Sequence, residues 1–135
     1  MRIIALRGEG NCGKTTTLNL VYDDLIAKGA TVFIAKKQVG GDKRDFETVL
    51  IYHGKKIAFF TMGDYSIYLI EAIIKYEALK VDILICASNI KFVKPIKKIV
   101  TYNHNLVIKS IASPKTKTAN SIENNKDATT IVGLI

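Results

Sequence analysis

The chain has 135 residues, 48% hydrophobic and 24% charged, which suits a single packed domain (residues 1–135) and excludes an intrinsically disordered chain. Its net charge of +8 points to an anionic partner: a nucleotide, a nucleic acid or an acidic protein face. Two cysteines exclude a disulfide framework, no run of about 18 apolar residues offers a membrane span, and the opening apolar run is too short for a signal peptide, so a soluble, cytoplasmic protein with no membrane association is expected.

Arg2–Arg7 (RIIALR) is a short apolar run that stops at Gly8 and reads as a buried strand. Lys14–Lys28 spaces Leu18, Val21, Leu25 and Ile26 near the helical period, and Gly29 follows as a helix end requires. Thr31–Lys36 (TVFIAK) is β-branched and aromatic, a second strand that completes a βαβ unit. Gln38–Asp45 is polar and glycine-rich, hence a loop, and Asp42, Asp45 and Glu47 in or beside it read as solvated charges. Phe46–Tyr52 and Lys56–Thr61 are apolar runs either side of HGK, a β-hairpin. Asp64 or Ser66 caps a helix over Tyr65–Leu79. Val81–Ala87 is another buried strand, followed by a short helix or lid over Phe92–Tyr102 with Pro95 near its start. Asn105–Ile111 is a further strand, and a final helix is expected over Lys126–Leu134.

Strands alternating with helices imply an α/β three-layer sandwich: a mostly parallel sheet with one antiparallel hairpin strand. Ligands of such sheets bind at the carboxyl ends of strands. That rule nominates Gly8–Thr15, Lys36–Gln38, Thr61–Asp64, Ala87–Asn89 and Ser110–Lys115.

The first of these segments, GEGNCGKT, matches G-x-x-x-x-G-K-[ST] at every fixed position, after a strand and before a helix. Glycines let successive backbone N–H groups turn inward toward phosphate oxygens, and the helix N-terminus adds partial positive charge. Lys14 can bridge β- and γ-phosphates, and the Thr15 hydroxyl can coordinate Mg2+.

The segment resembles the Walker A motif of P-loop NTPases, which implies that superfamily's fold and the binding of ATP with Mg2+. GKTTTLNLVYDDLIAKGATVFI also resembles the opening of the partitioning and septum-site ATPases and the P-loop adapter protein of molybdenum-cofactor biosynthesis. The partitioning ATPases carry a second lysine early in the loop, where this chain has Glu9, and end strand two with an aspartate, where it has Lys36 and Lys37. Gly8, Glu9, Gly10, Asn11, Cys12, Gly13, Lys14, Thr15 and Thr16 are the expected nucleotide-binding residues.

Phosphoryl chemistry with Mg2+ also calls for a carboxylate at a neighbouring strand end. Asp64, just past KIAFFTMG, is the candidate, acting on the metal through water; the competing reading makes it only a helix cap. Lys14 and Asp64 are thus the expected catalytic residues, and Thr15 and Asp64 the expected metal-site residues. Lys36 and Lys37 end a strand beside the loop, where they could meet a second anionic group. No N-K-x-D follows a late strand, which favours ATP over GTP. Lys91, Lys94, Lys97 and Lys98 form an arginine-free basic run, either a lid over transferred phosphate or the solvent face of a crossover helix. Cys12 reads as a permissive loop position, His53 as hairpin turn and His104 as loop.

The expected function is a Mg2+-dependent ATP-binding NTPase whose hydrolysis drives a conformational or partner-binding change. The alternatives are a small-molecule or nucleotide kinase with the lysine-rich lid, and a non-catalytic module that binds nucleotide, nucleic acid or protein.

Overall fold

Ile3, Ile4, Ala5 and Leu6 have no exposed surface, because their strand, β1 (Arg2–Gly8), is covered on both faces and paired on both edges in the computed structural model, which describes residues 1–135. The glycine loop leads from β1 into α1 (Lys14–Ala27). There follow β2 (Thr31–Gln38), β3 (Phe46–Tyr52), β4 (Lys55–Phe60), α2 (Ser66–Ala78), β5 (Ile83–Asn89), α3 (Lys94–Ile99), β6 (Asn103–Ile108) and α4 (Lys117–Leu134). The six strands form one sheet in the order β2-β3-β4-β5-β1-β6. The β4–β5, β5–β1 and β1–β6 pairs are parallel; β3 runs antiparallel to both β2 and β4. The chain is therefore α/β with a mostly parallel sheet and a single antiparallel strand, as expected.

Alternation along β1 divides the core in two. Ile4 and Leu6 pack with Leu18, Val21 and Leu25 of α1 and Ile131 of α4. Ile3 and Ala5 pack with Leu69, Ile73 and Tyr76 of α2 and Ile99 of α3. The β3–β4 hairpin turns on His53 and Gly54, both at positive φ (50° and 75°), a two-residue turn of the I′ kind whose twist suits the strands.

Several expectations need correction. The first strand–helix–strand passage does not set β2 beside β1. Antiparallel pairing to β3 holds β2 at the sheet edge, with three strands between. Lys36 and Lys37 consequently do not border the glycine loop. The Lys36 ammonium sits 4.2 Å from the ring centroids of both Tyr22 and Phe46, and Lys37 pairs across the strands with Glu47. Neither Asp64 nor Ser66 caps α2: the N-cap is Tyr65, with no side-chain cap bond. His104 lies within β6, its Nδ1 2.9 Å from the Tyr102 carbonyl oxygen. Helix α4 starts nine residues earlier than expected, where the Thr116 hydroxyl accepts the Ala119 N–H (3.1 Å) as a cap. No helix is long and apolar enough to cross a membrane.

Candidate functional site

Parallel strands end together, so the carboxyl ends of β1, β4 and β6 share one edge of the sheet, and the antiparallel strand β3 begins there. A cleft of about 370 Å³ opens at this edge. Asn11, Cys12, Gly13, Lys14, Thr15 and Thr16 line one side and Asp64 another. Gly8, Glu9 and Gly10 do not line the cleft.

Two glycines of the loop, Gly8 and Gly13, have little room for a side chain. Gly13, at φ +97°, is the N-cap of α1, and a Cβ there would stand 2.6 Å from Asn124 Oδ1. A Cβ on Gly8 would stand 2.6 Å from Cys12 Sγ and 3.0 Å from Lys109 Cβ. The loop closes around the buried Lys14, whose ammonium donates to the carbonyl oxygens of Gly8 (3.1 Å) and Glu9 (2.6 Å). The Thr17 N–H donates to the Gly13 carbonyl (2.9 Å), the first bond of the helix ladder. The N–H groups of the first turn before it have no intrahelical acceptor, and no acidic side chain occupies that turn. A cation and a set of backbone donors thus converge where an anion could bind.

The carboxylate that meets Thr15 is Asp45. Its Oδ1 accepts hydrogen bonds from Thr15 Oγ1 and Thr61 Oγ1, each at 2.9 Å. Thr61 Oγ1 in turn accepts the Phe46 N–H (2.9 Å), so the hydroxyl that orients Asp45 is itself fixed. The Asp45 carbonyl accepts the Val39 N–H (3.1 Å), and the residue is only 4% exposed. The expectation of a solvated loop charge fails at this position. Asp45 immediately precedes an antiparallel strand, whose start lies at the edge where the parallel strands end. Asp64 lines the same cleft but is exposed.

Beside the glycine loop lies a buried ion pair. Lys109 Nζ lies 2.9 Å from Asp127 Oδ2, with side chains 1% and 5% exposed. The Ser110 N–H and hydroxyl both donate to Asp127, each at 2.8 Å. Burial opposes ionisation of Asp127, but the bonds from Lys109 and Ser110 outweigh it and hold the carboxyl below its ordinary pKa. Lys109 also donates to the Ser110 carbonyl (2.8 Å). These contacts fasten the end of β6 to α4, which brings Asn120, Glu123 and Asn124 into the cleft.

Of the five nominated strand ends, the loops after β1, β4 and β6 build this cleft, and Lys36–Gln38 and Ala87–Asn89 do not line it. Lys97 and Lys98 line neither this cleft nor a second one of about 500 Å³, which Lys91 and Lys94 do line and which meets the first at Asp64. Lys109, Asn124 and Asp127 escaped the sequence reading, Asp45 was read as a solvated charge, and Thr61 entered only as the first residue of a nominated strand end. Only Thr61 carried a local signal, a hydroxyl directly at the end of an apolar strand. The structure holds no group of three or more His, Cys, Asp or Glu side chains suited to caging a metal. In comparisons with known proteins, no family model, no curated protein and no solved structure matches the chain.

Proposed function

We propose that the chain is a Mg2+-dependent, ATP-binding P-loop NTPase, in which hydrolysis drives a change of conformation or of partner binding. The observation that carries this reading is the clustering of three features in one cleft: the buried Lys14 ammonium, the open first turn of α1, and the Thr15–Asp45 bond. Lys14 would exchange the Gly8 and Glu9 carbonyls for phosphate oxygens, and the N–H groups of the first turn would hold the same phosphates.

Thr15 and Asp45 fit Mg2+. They offer a hydroxyl and a carboxylate oxygen, hard donors of the type this ion takes, and Mg2+ normally completes its shell with water and phosphate rather than a protein cage. When bound, the ion supplies charge neutralisation at the β- and γ-phosphates. Thr61 would hold Asp45 in register with Thr15, and Asp64 would face the open side of the cleft, within reach of water. A kinase with a lysine-rich lid draws less support, because Lys97 and Lys98 line neither cleft.

Calorimetric titration with ATP and Mg2+ tests the reading. Lys14→Ala should abolish binding while leaving the thermal unfolding transition in place; an unchanged affinity overturns the assignment. ADP release at one rate with and without candidate acceptors supports hydrolysis, acceptor-dependent release supports the kinase, and binding without turnover reduces the protein to a nucleotide-binding module.

A further inference from the structure

We propose that the start of α2 and the β5–α3 turn form a docking surface for an acidic protein segment with apolar anchors, joined to the glycine loop by a direct hydrogen-bond path. The second cleft, about 500 Å³, runs between these two elements. Tyr65 and Ile67 border it on one side and Val93 on the other, at 60%, 61% and 63% exposure. None of the three contributes to either core. The Tyr65 and Tyr68 rings meet edge to face, with centroids 5.7 Å apart, so the aromatic wall is already packed before any partner arrives.

Charge selects the occupant. Lys91 and Lys94 line the cleft, both are exposed, and neither takes part in any of the ion pairs of the structure. Asp64 is the single carboxylate of the lining. An apolar floor with two free ammonium groups at its rim complements a segment that sets Asp or Glu beside aromatic or branched side chains. A small anionic metabolite would use the lysines and leave Tyr65, Ile67 and Val93 in water, so a protein segment fits the surface better.

The turn is stiff. Asn89 Oδ1 accepts the Lys91 N–H (2.9 Å) and the Asn89 carbonyl accepts the Phe92 N–H (3.1 Å), which lowers the ordering cost of docking. It is also tied to the glycine loop. The Ile90 N–H donates to the Gly8 carbonyl (3.0 Å), the same oxygen that accepts Lys14 Nζ (3.1 Å). The Arg7 guanidinium donates to the Ile90 carbonyl (3.0 Å). On the other side, a Cβ on Gly63 would lie 3.1 Å from the Ala87 carbonyl carbon, so the entry to α2 rests directly on β5. A ligand that draws Lys14 away from Gly8 therefore alters the bond that positions Ile90, and docking acts back on Lys14 by the same amount. This coupling, unlike the surface itself, rests on the nucleotide reading above.

The test is to pan a phage-displayed library of random short peptides on the full-length protein and measure the selected peptides by fluorescence anisotropy. Expected are binders rich in Asp or Glu beside apolar anchors, weakened about tenfold by Lys91→Glu/Lys94→Glu and by Ile67→Ala, variants whose ATP affinity stays that of the parent. Adding a non-hydrolysable ATP analogue with Mg2+ should shift peptide affinity severalfold. The surface is overturned if no peptide is selected, if the binders lack acidic residues, if they keep their affinity for both variants, or if inorganic phosphate competes them away from Lys91 and Lys94. Peptide affinity indifferent to a bound analogue overturns the coupling. Peptide binding as expected in a protein that binds no ATP faults the nucleotide reading and leaves the surface standing.

Discussion

Asp45 and Thr15 share a hydrogen bond of 2.9 Å across 30 residues of sequence, and Thr61 donates to the same carboxylate oxygen. On the proposed function, that arrangement favours Asp45 over Asp64 as the carboxylate that shares a metal with Thr15. Asp45→Asn keeps the side-chain shape and an acceptor oxygen while removing the charge. It should cut the gain in ATP affinity on adding Mg2+ by about tenfold, and raise affinity slightly without Mg2+, since a negative charge near the phosphates is gone. Asp64→Asn should leave the Mg2+-dependent gain nearly intact. Titrations with and without Mg2+ decide, and the reverse ranking would return the metal to Asp64.

Gly13 carries two separate constraints, a left-handed backbone and a close neighbour. At φ +97° any side chain is strained by about 1–2 kcal/mol, and a Cβ would also press on Asn124 Oδ1 at 2.6 Å. Gly13→Ala should therefore lower stability in urea by at least the backbone cost. Asn124→Ala removes the clash together with the bond that Thr17 Oγ1 donates to Asn124 Oδ1 (3.4 Å), so its own cost is measured first, and in that background Gly13→Ala should still lose the backbone part. No further loss in that background would mean that the backbone at Gly13 relaxes freely.

How far these contacts could be read beforehand depends on whether each is local. Ile57–Phe60 and Ile83–Ala87 are uninterrupted apolar runs, and they lie buried inside the sheet. His53-Gly54 carries its turn in two residues. The position of β2 has no such signature. Val32, Phe33 and Ile34 look like an interior strand yet are 52%, 55% and 42% exposed at the sheet edge, because strand order depends on which hairpin adds to which strand. The first half of helix α4, Lys117–Asn125, went unread for a different reason: its one buried residue is Asn124, so hydrophobic periodicity is weak there. At the site, the glycine spacing of GEGNCGKT was legible because the loop is built from consecutive residues. Asp45 was not, because its role follows from the antiparallel direction of β3. Lys109 and Asp127 were not, because nothing local pairs a residue just past β6 with one 18 positions further on, inside α4.

The Lys109–Asp127 pair predicts an acid limb of stability. In the folded protein Asp127 titrates below its unfolded value of 3.8, so its contribution is complete above that value and is lost as pH falls through the folded pKa. Asp127→Asn should flatten this limb. It should also destabilise the protein at neutral pH by about 3–5 kcal/mol, since Lys109 is then left buried without a counter-charge. Replacing both residues with apolar side chains of similar size should cost less than Asp127→Asn alone. Chemical unfolding across acid and neutral pH measures all three, and equal slopes in parent and variant would remove Asp127 from the acid response.

The two thiols should differ sharply in reactivity, and the difference reports on the glycine loop. Cys86 is fully buried in β5, and burial pushes its thiol up to about 12, so it carries almost no thiolate at neutral pH. Cys12 is partly exposed on the cleft wall, its Sγ 3.7 Å from the Lys14 ammonium. A thiol-specific chromogenic reagent should therefore modify one group in the folded protein and the second only on denaturation. Cys12→Ser should abolish the fast phase, and Cys86→Ser should leave it unchanged. Saturating ATP with Mg2+ should slow the fast phase severalfold, because phosphates held by the loop occupy the space beside Sγ. A fast phase that ATP and Mg2+ leave untouched, in a protein shown by calorimetry to bind ATP, would place the nucleotide away from Asn11–Thr16 and so dissociate binding from this loop.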